Sequence, residues 1–170
     1  MSTISKRIYT NAGTEKPHAH DGHHPDGHVV QFYETDAFLI DSVCGYIGAG
    51  LGAGEAGIVI ATPAHRRAIE ARLLADGLDL DAARARDVYI ARDAAETLAR
   101  FMTGEMPDPA RFATVIGGLI TRAGRGGHEV CIFGEMVALL VEEGNPAAAL
   151  RLEALWNELR EAHAFTLMCG

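Results

Sequence analysis

Apolar positions along this chain follow two alternating periods. Five short runs are apolar nearly throughout: His28-Val29-Val30-Gln31-Phe32-Tyr33, Gly57-Ile58-Val59-Ile60-Ala61, Val88-Tyr89-Ile90-Ala91, Val130-Cys131-Ile132-Phe133 and Ala164-Phe165-Thr166-Leu167-Met168-Cys169. Runs of this length and uniformity predict strands buried on both faces. Between them the apolar residues recur at helical spacing. Leu39, Val43, Tyr46 and Ile47 make one stripe; Ala94, Leu98, Phe101 and Met102 a second; Phe112, Val115, Ile116, Leu119 and Ile120 a third; Leu152, Leu155, Trp156 and Leu159 a fourth. Helix starts are marked by a capping residue: Glu34-Thr35-Asp36, Thr62-Pro63, Asp93 with Glu96 three residues on, Asp108-Pro109 and Asn145-Pro146. A polar side chain before the first turn accepts an otherwise unpaired N–H, and a proline at the first helical position has no N–H to leave unpaired.

Strands alternating with amphipathic helices predict an α/β fold, a three-layer parallel five-stranded sheet with helices on both faces. The expected organisation is a flexible His-rich arm over residues 1–27 and a single domain over 28–170. The chain stops directly after the fifth strand, which reads as the edge of a domain cut from a longer protein.

A net charge of −8, from 23 acidic and 15 basic residues, argues against direct nucleic-acid binding, which needs a basic footprint. Both lysines, Lys6 and Lys16, lie in the arm, so the body carries only arginine and histidine as cations. Cys44, Cys131 and Cys169 are far apart in apolar contexts and do not suggest a secreted disulfide framework. No apolar h-region opens the chain and no run reaches membrane-spanning length, so the expectation is a cytoplasmic protein without a membrane partner.

Several motifs for chemistry can be weighed. Gly52-Ala53-Gly54-Glu55-Ala56-Gly57 matches GxGxxG, but it follows a helix and precedes a strand. A dinucleotide fingerprint needs the reverse order, so these glycines read as a helix-to-strand turn. A P-loop is missing, and Glu34-Thr35-Asp36 after the first strand would repel phosphate. GxSxG is missing too, and the two strand cysteines look buried. The chain is expected not to be an enzyme. In the arm, His18, His20, His23, His24 and His28 stand close enough to bind a transition metal, although Gly22, Pro25 and Gly27 give them no rigid frame.

What remains is a set of polar residues at the predicted strand ends: Tyr33 and Glu34, Thr62 and His65, Arg92 and Asp93, and Glu135. In a parallel sheet these ends share one edge, where ligands bind. Glu135 is the sharpest of them, a carboxylate among apolar residues just after a strand. It either braces the N-terminus of the helix that follows it or contacts a ligand. Trp156 is at once a candidate for the apolar wall of such a site and for the core.

Five stretches, in order, resemble the MEDS domain, the methanogen and methylotroph sensory domain of bacterial and archaeal regulators. They are His28-Val-Val-Gln-Phe-Tyr-Glu, Gly57-Ile-Val-Ile-Ala-Thr-Pro-Ala-His, Ala95-Glu-Thr-Leu-Ala-Arg-Phe, Phe133-Gly-Glu-Met-Val-Ala-Leu-Leu and Leu152-Glu-Ala-Leu-Trp-Asn-Glu-Leu. The resemblance covers residues 28–169. It implies a RecA-like fold without the phosphate-binding loop and a sensory role. It also implies an output module, histidine-kinase-type or DNA-binding, and small organic ligands, including hydrocarbon derivatives. The motif positions it carries are His28, Tyr33, Glu34, Thr62, His65, Glu135, Trp156 and Asn157. The histidine-rich arm is not part of that pattern and leaves a transition metal or haem open as a cofactor.

The reading that results is a small-molecule-sensing signal-transduction domain. Its ligand-binding candidates are Tyr33, Glu34, Thr62, His65, Glu135 and Trp156. Its partners would be a small organic ligand and an attached or separate output protein, with a homodimer left open. Binding would shift the last helix and the fifth strand. The alternatives are a metal or haem sensor using the arm with His28, and a degenerate nucleotide-binding module.

Overall fold

The computed structural model describes residues 28–30 and 35–170. The arm histidines His18, His20, His23 and His24, and the strand-end pair Tyr33 and Glu34, lie outside the described residues.

The chain is an α/β domain built on a parallel sheet. In chain order its main elements are β1 (His28–Val30), α1 (Asp36–Ala53), β2 (Ala56–Ala61), α2 (Pro63–Ala75), α3 (Leu80–Ala85), β3 (Tyr89–Asp93) and α4 (Ala94–Ala99). There follow β4 (Met102–Thr103), β5 (Met106–Pro107), α5 (Pro109–Ala123), β6 (Val130–Gly134), α6 (Met136–Glu142), α7 (Pro146–Ala162) and β7 (Thr166–Cys169). Four strands in the order β7-β6-β2-β3 make the body of the sheet, and the three residues of β1 pair in parallel with β7 at one edge.

The capping signals hold locally. Thr35, Thr62, Asp93, Asp108 and Asn145 each accept a backbone N–H three residues on, and Pro63, Pro109 and Pro146 open their helices. Gly54, within the GxGxxG match, ends α1 in the left-handed region at φ 89° and turns the chain into β2. That is the use glycine has where a Cβ would be strained.

Two local predictions change. A short helix, α3, capped by Asp79, fills the segment between α2 and β3 that carried no clear pattern. The apolar spacing carries the second stripe on to Met102, but α4 ends at Ala99. Met102–Thr103 instead pairs antiparallel with Met106–Pro107 across Gly104, which sits at φ 62°. Phe101 is still buried, edge-on to Phe112 at 5.2 Å between ring centroids. The apolar spacing reported burial correctly, and the turn chemistry decided the backbone.

Side chains of β2 and β6 alternate between two helical layers. Gly57 faces Ile47 and Leu51 of α1, and Cys131 faces Gly50 of the same helix; Gly134 faces Trp156 of α7. α2 packs on α1, while α5 meets α7 through Phe112 and Trp156, 5.2 Å apart and nearly perpendicular. The chain leaving β2 travels outward through α2 to β3. The chain leaving the neighbouring β6 travels the other way, through α6 and α7, to β7. The carboxyl ends of β2 and β6 are therefore a topological switch point, where departing chains open a crevice.

Candidate functional site

Glu135 is the first residue beyond β6, and its N–H donates to the carbonyl of Ile60 at 3.0 Å, extending the ladder to β2. It occupies the N-cap position of α6 but makes no capping bond there. Its carboxylate, 3% exposed, crosses the switch point instead. Oε2 accepts the N–H of Thr62 at 2.6 Å, and Oε1 pairs with Nδ1 of His65. Glu135 thus braces a helix N-terminus, but that of α2 and not of the helix it precedes. There the unpaired N–H groups and the helix dipole favour negative charge.

The local sequence of α2 sets up the receiving end. Thr62 Oγ1 accepts the N–H of His65 at 3.4 Å, and this capped first turn presents both the Thr62 N–H and the His65 ring to Glu135. The far ring nitrogen of His65, Nε2, faces Asp36 Oδ1 at 3.6 Å, at the start of α1. His65 is 17% exposed and Asp36 81%, so the series runs from the interior to water.

Burial works against a charged His65. The hydrogen bond and charge of Glu135, with Asp36 behind, outweigh it and raise its pKa above the ordinary histidine value. With a carboxylate at each ring nitrogen, the imidazolium is the form that can donate on both sides. The group can therefore hold a proton between two carboxylates, or exchange one partner of Glu135 for a ligand group.

Thr62, His65 and Glu135 were all singled out by their positions at strand ends, and the structure brings these three together. Asp36 is an addition. An acidic residue in a first helical turn is ordinary, and nothing in its local pattern pointed to His65. Arg92 and Asp93 stand one strand further out; Asp93 caps α4, and Arg92 donates to its neighbour's carbonyl. Trp156 lies on the other face of the sheet, buried between Phe112 and Phe165. Asn157 is exposed on α7.

Cys131 and Cys169 are buried, as their contexts implied. Burial pushes the Cys131 thiol up to about 12 and Cys169 well above the usual thiol range, so neither supplies a thiolate near neutral pH. Among the described residues no group of three or more His, Cys, Asp or Glu side chains is placed to hold a metal ion. Among them, too, no helix is long and apolar enough to cross a membrane.

The site is thus a buried carboxylate clipped across the switch point of a parallel α/β domain. The chain matches the family model of MEDS, the methanogen/methylotroph, DcmR sensory domain, over residues 27–170, and it belongs to that family of sensory domains. Neither a curated protein nor a solved structure matches it.

Proposed function

We propose that residues 28–170 form a RecA-like sensory domain without a P-loop that binds a small organic molecule at the carboxyl edge of its sheet. In this reading Thr62, His65 and Glu135 contact the ligand. Tyr33 and Glu34, from the segment joining β1 to α1, complete the site, and Trp156 packs behind Gly134. Residues 1–27 are an arm outside the domain. The output is an attached or partner module of the histidine-kinase or transcriptional kind.

One observation carries the reading. Thr62 and His65, from one helical turn, meet a carboxylate 73 and 70 residues further along the chain at the switch point, and it is almost wholly buried. A buried carboxylate is costly unless paired, and this one has two internal partners that a ligand donor can replace. Replacement would release the start of α2 and loosen His65 from Asp36 at the start of α1. α1 is tied to the last strand through the hydroxyls of Tyr46 and Thr166, 2.6 Å apart. A ligand moves this connection only if it binds one arrangement better than the other. The same geometry disfavours a nucleotide, because the Glu135 carboxylate already fills the anion position at the N-terminus of α2.

Native mass spectrometry of the full chain, purified without a nickel column, tests the proposal. The expected result is a small-molecule adduct on the wild-type chain that is depleted in Glu135→Gln while the variant stays folded. An adduct equally abundant on both proteins would remove Glu135 from the site.

A further inference from the structure

An open cavity of about 350 Å³ lies along β3, on the far side of that edge strand from β2. Its charged lining is Arg66 of α2, Glu70 of α2, Arg84 of α3, Asp87, Arg92 of β3 and Arg122 of α5. Four guanidiniums against two carboxylates leave +2 in one concavity, on a chain whose net charge is −8.

The carboxylates are already committed. Glu70 takes Arg84 at 2.9 Å, and Asp87 takes Arg122 at 2.5 Å. Arg84 is further fixed over the ring of Tyr89, 5.4 Å from its centroid, and the Tyr89 hydroxyl reaches Glu70 at 3.5 Å. Arg66 stands four residues before Glu70, the spacing of a helical ion pair, yet Glu70 is held by Arg84. Among the described residues neither Arg66 nor Arg92 forms an ion pair, and both are half-buried. Arg92 reaches Asp87 only through the longer-range field that helps hold that carboxyl below its ordinary value, and partly desolvated cations without a direct partner favour a ligand that supplies one. The two arginines that do have carboxylates hold the walls, and the two that lack them supply the vacant charge.

We propose that this cavity is a second ligand site that takes a small dianion, a phosphomonoester or a dicarboxylate, between Arg66 and Arg92. Guanidinium is suited to both, since its planar fork donates two parallel bonds to phosphate or carboxylate. The remaining charge of +2 sets the charge of the ligand, and the open mouth suits a small, hydrated molecule. The edge strand places the site beside α2, the helix whose first turn holds Thr62 and His65.

Titration of the full-length protein with inorganic phosphate and with succinate, followed by calorimetry and by the amide resonances of β3, tests it. The double variant Arg66→Gln/Arg92→Gln should keep the wild-type melting temperature and lose roughly tenfold or more in affinity, as expected for a charged hydrogen bond removed. A charge-matched control, Arg100→Gln/Arg111→Gln on the exposed ends of α4 and α5, should bind as the wild type does. Tighter phosphate assigns the phosphomonoester, and tighter succinate the dicarboxylate. Equal weakening in both double variants would reduce the effect to overall charge and overturn the site. So would the absence of any response to either probe at about 10 mM, beyond the millimolar range of a weak specific ligand.

Discussion

At the carboxyl ends of β2 and β6 one carboxylate is buried and every partner it has is protein. Along β3 guanidiniums line an open cavity, and among the described residues two of them form no ion pair. Both regions concentrate charge at the margin of the same sheet, and α2 belongs to both: its first turn carries His65 and its next residue is Arg66. The difference is one of solvent. Around Glu135 water is excluded, so geometry sets the energy and the loss of one partner strands the other. Along β3 water and salt screen the pairs, so each is weak and exchangeable. A closed site of the first kind responds to what can replace a specific hydrogen bond. An open site of the second kind responds to charge.

The comparison is broken most severely by Glu135→Ala. It strands the Thr62 N–H and the His65 ring together, and should cost about 3–5 kcal/mol of folding stability, measured by urea denaturation at neutral pH. A loss below about 1 kcal/mol, the level of a surface pair, would show that the switch point is no different from the β3 edge.

A gentler break is pH. The pKa of His65 is raised in the folded protein, so the native state holds this proton more tightly than the unfolded chain does. Its contribution to stability is complete below the unfolded value of about 6.5, and it is lost as pH rises through the higher folded value. The urea midpoint of the wild type should therefore fall across that window, and in His65→Gln this part of the fall should vanish. A profile that is identical in the two proteins would uncouple His65 from Glu135.

Thr62→Ala removes the side-chain cap of α2 but leaves its backbone N–H for Glu135. The expected cost is about 1 kcal/mol, read from the thermal midpoint. A cost as large as that of Glu135→Ala would mean that the cap, and not the carboxylate, holds the crevice together.

The smallest effect belongs to the β3 edge. Arg122→Gln breaks a pair whose side chains are 46% and 30% exposed, and should leave the urea midpoint almost unchanged, with any small loss vanishing at high salt. A larger, salt-independent loss would place this pair in the same class as Glu135 and His65.

Much of this molecule is written locally. The strand runs stand out because strands covered on both faces have no polar side to show, and every residue of β2 and β6 is buried. Helix starts stand out because a cap and its N–H are three residues apart, as Thr62 and Asn145 show. The family, too, could be named from five stretches of sequence, and it holds over residues 27–170. The short helix after Asp79 and the early end of α4 were less legible, since six residues are too few for a period to declare itself. The partner of Glu135 was not legible at all. Its sequence context offered the helix just after it, and the bond goes to an N–H 73 residues earlier in the chain. That choice depends on β6 lying beside β2, and periodicity within a segment carries no information about strand order. Arg92 was marked by its place at a strand end, but Asp36 and the cavity's Arg66, Arg84 and Arg122 are hidden for the same reason. Each is an ordinary surface charge in its own element, and only the packing of α1, α2, α3 and α5 around the sheet decides what it faces.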